Sequence, residues 1–217
     1  GQSVVFAHHS TAVGRSFHTT TTFNSKFKQF DESQDDDDEV DHHLQAFLES
    51  VETQMELRNY KMVEELLDSV EDRITSVDIT SVEVGSYLAF WKIVAMRYRA
   101  VMLYEQGEFN RSWAVCEDIL TMERGLIQLQ IEDELFSELN VALSVQGMIL
   151  QQRNEYLQAI KYQTVLIEER MKKRLLVEEE PMWQARILYE LAGEYTRRAL
   201  SHFHLKQFEE ALLDLNA

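Results

Sequence analysis

The sequence predicts an all-α fold, a solenoid of at least four helical hairpins, and three observations lead there. Pro181 is the only proline among 217 residues and there are seven glycines. That is too little punctuation for the many turns of a β-sandwich or of an alternating sheet-and-helix fold. Apolar residues recur at intervals of three and four, as at Val63, Leu66, Leu67 and Val70, and again at Val141, Val145, Met148 and Ile149. This is the spacing of one buried helix face. The third observation is a pattern of polar breaks, aromatics and small residues that returns along the chain. Apolar residues make up 45% of the sequence, enough for a packed core and too many for wholesale disorder.

Charge divides the chain before any helix begins. Residues 1–28 hold Arg15, Lys26 and Lys28, no acid and nine Ser or Thr. Acid-poor, Ser-rich and Arg-bearing is the composition of an organelle transit peptide. Arg15-Ser16-Phe17-His18-Thr19-Thr20 resembles a mitochondrial matrix-processing site, and Phe17, Thr20 and Asn24 before Ser25 resemble the octapeptide that an intermediate peptidase removes. Residues 1–24 are therefore expected to be a mitochondrial presequence. Residues 25–41 follow as an acidic linker, with eight acids among the thirteen residues 29–41. Like charges at that density repel and resist burial. An EF-hand calcium loop does not fit, because no glycine stands at its sixth position and no Glu at its twelfth.

Residues 42–217 are expected to carry the repeats. Breaks at Leu57-Arg58-Asn59, Gln106-Gly107-Glu108, Arg153-Asn154-Glu155 and Leu205-Lys206-Gln207 each lead at once into an aromatic: Tyr60, Phe109, Tyr156 and Phe208. Nine residues before each aromatic stands Val51, Ala100, Gly147 or Ala199, and three after it Val63, Ser112, Ala159 or Ala211. Antiparallel helices joined by a tight turn approach closely where one side chain is small, and an aromatic at the turn covers the open end. The intervals between aromatics are 49, 47 and 52 residues, so each helix must run to about 20 residues, or about 30 Å. The excess length falls at residues 75–84, 121–133 and 171–181. Glu178-Glu179-Glu180-Pro181 reads there as a helix start, with acids at the positive end of the dipole and proline in the first turn. The last helix reaches Ala217 without a capping element, so the repeat domain is expected to be incomplete at that end.

Small residue, turn, aromatic, small residue resembles the tetratricopeptide repeat. The best copies are Ala100…Gly107-Glu108-Phe109…Ser112 and Gly147…Asn154-Glu155-Tyr156…Ala159, and Gln207-Phe208-Glu209-Glu210-Ala211 closes another. The copy around Asn59-Tyr60 departs, with Val51 and Val63 in place of small residues. The resemblance implies a right-handed solenoid of long-helix hairpins whose first helices line a concave groove that binds protein. On the small-residue alignment, the groove candidates are Arg97, Val101, Tyr104, Met148, Gln151, Gln152, Phe203 and His204, a mixed lining suited to an extended or helical peptide. Members that clamp the acidic tails of chaperones carry asparagine two residues before the small position. Here those positions are Glu49, Tyr98, Val145 and Arg197, so that mode is not expected.

Nothing in the sequence carries a reaction. There is no Gly-rich phosphate loop, no G-x-S-x-G and no H-E-x-x-H. His42 and His43 are adjacent, and His202 and His204 diverge by about 200° on a helix, so no metal set forms from them. Cys116 is the only cysteine, which rules out an internal disulfide and reads as a buried, inert thiol. Trp91, Trp113 and Trp183 read as packing groups rather than ligand platforms. Arg170, Lys172, Lys173 and Arg174 read as a solvated face or a charge set at a helix C-terminus. Counts of 38 acidic and 21 basic residues, a net charge of −17, oppose binding to nucleic acid or anionic lipid. The most apolar segment, residues 87–96, is interrupted by Lys92, so no transmembrane helix is expected.

A presequence, an acidic stretch and the long charged helix around residues 167–180 together resemble the mitochondrial tetratricopeptide repeat protein 19 family. That resemblance implies a role in assembly or maintenance of respiratory complex III, in the matrix or at the periphery of the inner membrane. The expected function is thus a non-catalytic scaffold without a cofactor, its partner a protein or peptide such as a complex III subunit. Another mitochondrial scaffold, or a cytosolic adaptor of the same repeat class, is the alternative.

Overall fold

In a computed structural model, the described residues are 35–76, 82–127, 132–176 and 181–217, with side chains described over 46–74, 88–122, 140–175 and 184–217. Among them stand eight α-helices and no strand: α1 Asp35–Glu56, α2 Tyr60–Ser76, α3 Val82–Glu105, α4 Phe109–Ile127, α5 Glu132–Gln152, α6 Tyr156–Leu176, α7 Pro181–His204 and α8 Phe208–Leu215. The expected presequence and residues 25–34 of the acidic linker lie outside the described residues, as does the side chain of Trp183. Residues 35–41 of that linker stand in α1.

All four breaks are turns of one geometry. Arg58, Gly107, Asn154 and Lys206 have φ of 54°, 78°, 61° and 61°, the left-handed conformation. Each donates its N–H three residues back, and the residue after it donates five back: Arg58 to Met55 and Asn59 to Gln54, Gly107 to Tyr104 and Glu108 to Leu103, and likewise at 154–155 and 206–207. These paired bonds are the Schellman closure of a helix C-terminus. The residue that completes the closure also starts the next helix. The carbonyls of Asn59, Glu108, Glu155 and Gln207 accept from Val63, Ser112, Ala159 and Ala211. One three-residue break therefore ends one helix, reverses the chain and begins another.

The described residues divide into two compact units, one ending at Val70 and one beginning at Glu71. In the first, the described core is Leu48 and Val51 from α1 with Val63, Leu67 and Val70 from α2. In the second, each helix from α3 to α8 packs on the next, and α3 also touches α5, as α5 touches α7 to a lesser extent. Buried residues surround α3, from Leu88, Phe90, Trp91, Ile93, Val94, Ala95 and Met96 to Tyr98, Ala100, Val101, Met102 and Leu103. Lys92 is the one exposed residue between Leu88 and Leu103. Farther along, Ile167 of α6 packs with Ile187 and Leu191 of α7, and Tyr195 lies against them.

The small residues sit where the helices close. Ala100, Ser112, Gly147, Ala159, Ala199 and Ala211 are all buried. Across the α3–α4 turn, Ser112 Oγ donates to the carbonyl of Ala100 at 2.7 Å, a contact that a larger residue at either position would block. At Gly147 the fit is less strict than the repeat suggested. A Cβ added there meets Tyr162 Cβ at 3.7 Å and Gln163 Cγ at 3.8 Å, ordinary van der Waals distances. The aromatics cover the turns as expected: Phe109 packs on Tyr104 with centroids 5.6 Å apart, and Phe208 on Phe203 at the same distance.

Candidate functional site

The eight groove candidates fall in the last two turns of α3, α5 and α7, and the structure treats them unequally. Arg97, Val101 and Met148 are buried, Tyr104 and Gln151 are half-buried, and Gln152, Phe203 and His204 are exposed. The sequence expectation that all eight line an open groove is corrected for the first three, and Gln151 is not solvent-facing as a groove residue should be. The reason lies in how first helices stack. Ser144 Oγ of α5 donates to Glu194 Oε1 of α7 at 2.9 Å, and Gln151 Nε2 donates to the carbonyl of Arg197 and to Ser201 Oγ, both at 2.8 Å. The face of α5 that bears Ser144, Met148 and Gln151 is thus turned toward α7. Arg97, Val101 and Tyr104 occupy the same positions on α3, whose neighbour is α5. Ser144 and Gln151 thus join α5 to α7, and Tyr104 joins α3 to α5 through Gln152.

Exposed and half-buried groups nonetheless gather near the turns. Tyr104 of α3 shares a hydrogen bond with Gln152 of α5 and feels the charge of Arg197 of α7; burial pushes its hydroxyl pKa up against both of those effects. His204 stacks on Tyr156 with centroids 4.6 Å apart and planes 6° from parallel, and Phe203 meets the rings of both His204 and Phe208 edge-on. Of the expected lining, then, Gln152, Phe203 and His204 are exposed near the turns of α5 and α7, with Tyr104 half-buried against Gln152. Aromatic faces beside amide and imidazole groups can grip a peptide by stacking and directed hydrogen bonds.

Sequence reasoning missed a buried charged seam. Arg170, expected on a solvated face, is buried between two carboxylates of α7. Its Nε lies 3.2 Å from Glu190 Oε2, and its Nη1 lies 2.8 Å from Glu194 Oε1, within ion-pair distance though off the line of a hydrogen bond. Glu194 is itself buried, and its Oε1 also receives Arg197 Nη1 at 3.0 Å. Glu190 Oε1 receives Arg186 Nε at 3.1 Å. Nearby, Arg198 of α7 grips Asp214 of α8 through two bonds of 2.9 and 2.6 Å and donates to Thr164 of α6 at 3.0 Å. That pairing holds the Arg198 pKa up against the opposing effect of burial. A signal was present: Ile187, Leu191, Glu194 and Arg198 recur at four, three and four, placing two charges on the apolar stripe of α7. Inward charges at that spacing need partners on the facing helices.

As chemistry, the seam is structural. Every charge in it faces an opposite one, and the hydroxyl that Ser144 brings against it donates to a Glu194 oxygen that Arg170 and Arg197 already hold. No group of three His, Cys, Asp or Glu among the described residues is placed to hold a metal ion. Cys116 is buried, and its surroundings push the thiol up to about 12, chiefly through desolvation and secondarily through Glu117. A thiol so protonated is a poor nucleophile. Trp91 is buried, and Trp113 is half-buried with Arg153 5.5 Å above its ring. No helix of the described residues is long and apolar enough to cross a membrane. No protein-family model matches the sequence, and neither does any curated protein or solved structure compared with it.

Proposed function

We propose that the protein is a non-catalytic protein-binding scaffold, a right-handed solenoid of tetratricopeptide-like hairpins that serves mitochondrial respiratory complex III in assembly or maintenance. One observation carries the scaffold reading: four helix-reversing turns of identical hydrogen bonding, each followed by an aromatic, with first helices α3, α5 and α7 touching in succession in the second unit. Hairpins stacked this way present one edge of each repeat to the same side, and extended binding surfaces arise from that repetition. Tyr104, Gln152, Phe203 and His204 are the contact residues of this reading, and a peptide or helix of a complex III subunit is its ligand. The mitochondrial part rests on the acid-free residues 1–24 and the processing-like Arg15-Ser16-Phe17 segment.

The test has two arms. Crosslinking mass spectrometry of the native protein, with co-migration on native gels, should recover complex III subunits bound near the turn edge. Gln152→Ala combined with His204→Ala should weaken those crosslinks and leave the fold intact, since both side chains are exposed. Absence from complex III fractions, with normal complex III activity after depletion, removes the respiratory role. N-terminal sequencing of material from cells should begin near Phe17 or Ser25. Intact peptides spanning Arg15 to Phe30 at steady state would overturn the mitochondrial assignment.

A further inference from the structure

The described methionines differ in how far solvent reaches their sulfur. Met96, Met102 and Met148 are buried, whereas Met62 and Met171 are 41% and 50% exposed. Met171, on α6, also meets a specific partner: the Tyr195 hydroxyl of α7 donates to its Sδ at 3.7 Å. A thioether is a weak acceptor, so this bond adds little to the joint between the two helices. The sulfur has two lone pairs. Tyr195 takes one, and the exposure of Met171 leaves the other open to small solutes.

Tyr195 stands where the α6–α7 joint is assembled. It is half-buried and packs against Ile167 of α6 and Ile187 and Leu191 of α7. The Arg198 guanidinium lies 5.5 Å from its ring centroid, and the same group grips Asp214 of α8 and reaches Thr164 of α6. One ring thus touches the apolar core of the joint and the cation that ties three helices together, and its hydroxyl ends on Met171. A better acceptor at that sulfur would fix the ring, and with it the seat of α7 on α6.

We propose that Met171 is a reversible oxidation site whose sulfoxide latches α6 to α7 through the Tyr195 hydroxyl. The oxidant is hydrogen peroxide. The open lone pair of Sδ attacks one peroxide oxygen, and the S–O bond forms as the O–O bond breaks. The proton on the transferred oxygen passes to the departing hydroxide, which leaves as water. Sulfur loses two electrons and the peroxide gains two. The new oxygen carries partial negative charge, and rotation about the Cγ–Sδ bond brings it to the Tyr195 hydroxyl. A polar group there strengthens an existing bond, whereas at buried Met102 or Met148 it would disrupt the core. A thiol-dependent sulfoxide reductase reverses the step: two thiols become a disulfide and the oxygen leaves as water. The inference rests on the α6–α7 joint and is independent of the complex III reading.

The test treats the full chain with dilute hydrogen peroxide, removes the excess and follows each methionine by peptide mass spectrometry. Met171 should oxidise well before Met102 and Met148. Thermal melts then read the latch. Oxidation should raise the melting temperature of the wild type relative to Met171→Leu treated alike, since leucine keeps the volume and lacks the sulfur. Tyr195→Phe should remove that gain, and sulfoxide reductases acting on both epimers should reverse it in the wild type. Hydrogen exchange of the wild type gives the same reading without a substitution: α7 amides should exchange more slowly in the oxidised protein. Three results overturn the proposal. They are oxidation of Met171 no faster than that of Met102, α7 exchange that is unchanged or faster after oxidation, and an equal gain in melting temperature in Tyr195→Phe. Circular dichroism of each variant checks that the helices are retained.

Discussion

The charged seam of α5, α6 and α7 makes an asymmetric prediction about its two central residues. Arg170, Arg186 and Arg197 against Glu190 and Glu194 give 3 − 2 = +1. Replacing Arg170 by Met leaves two cations and two anions, and each carboxylate keeps an arginine: Glu190 keeps Arg186 at 3.1 Å and Glu194 keeps Arg197 at 3.0 Å. The loss is then one charge-assisted contact per carboxylate, about 1–2 kcal/mol after the new methionine's apolar packing is credited. Replacing Glu194 by Leu leaves three cations and one anion, a local +2, with Arg170 still buried and the Ser144 hydroxyl stripped of its acceptor. Glu190 is then left to Arg170 and Arg186 together, and a buried charge short of a partner costs up to about 5 kcal/mol, or a fall in melting temperature of up to about 20 °C for a chain of this size. The double variant restores +1 and should cost less than the sum of the two by at least about 1 kcal/mol. Urea titrations followed by circular dichroism and tryptophan fluorescence give the free energies, provided the two probes coincide. If Arg170→Met proves as costly as Glu194→Leu, or if the two effects add within about 0.5 kcal/mol, the carboxylate is not the keystone of the seam.

Three further outcomes follow from the turns and the small positions. Gly147→Ala should be neutral or stabilising by up to about 1 kcal/mol, because its Cβ finds 3.7 Å of clearance and the helix gains propensity, whereas Gly147→Leu should destabilise by about 1–3 kcal/mol through overpacking; thermal melts of the pair decide it. Gly107→Ala should cost about 1 kcal/mol by backbone conformation alone, since φ is 78° and no atom lies within 4 Å of the added carbon, while Lys206→Gly should stabilise by a similar amount at φ 61°. With its pKa near 12, Cys116 should resist alkylation at mildly alkaline pH until denaturant is added. The unfolded thiol ionises first as pH rises past about 8.5, so this residue's contribution to stability is full below that pH and declines above it; rapid labelling of the native protein would contradict its burial.

The helical hairpins were legible in the sequence because what makes them is local. A Schellman closure spans six residues, and Gln106-Gly107-Glu108 or Arg153-Asn154-Glu155 carries its own stop, reversal and restart. Buried faces such as Val63, Leu67 and Val70 announce themselves through spacing on one helix, and the buried small residues do so through their fixed distance from the turn aromatic. Helix starts were less legible: the acidic run at residues 35–41 shows a charge density and no helix signal of its own, and the structure begins α1 within it.

What only the tertiary structure decided was which helix covers which face. Val101 and Met148 are lining residues by alignment and joints between hairpins in fact, because Ser144 finds Glu194 fifty residues away and Gln151 finds Ser201 at the same separation. Arg170 looks solvated among Lys172 and Arg174 until α7 supplies Glu190 and Glu194 across the interface. Periodicity along one helix states that a face is buried or polar, but the partner that buries it or neutralises it stands on another helix. That choice is made by the summed packing and charge of the whole interface, which no local window of sequence contains.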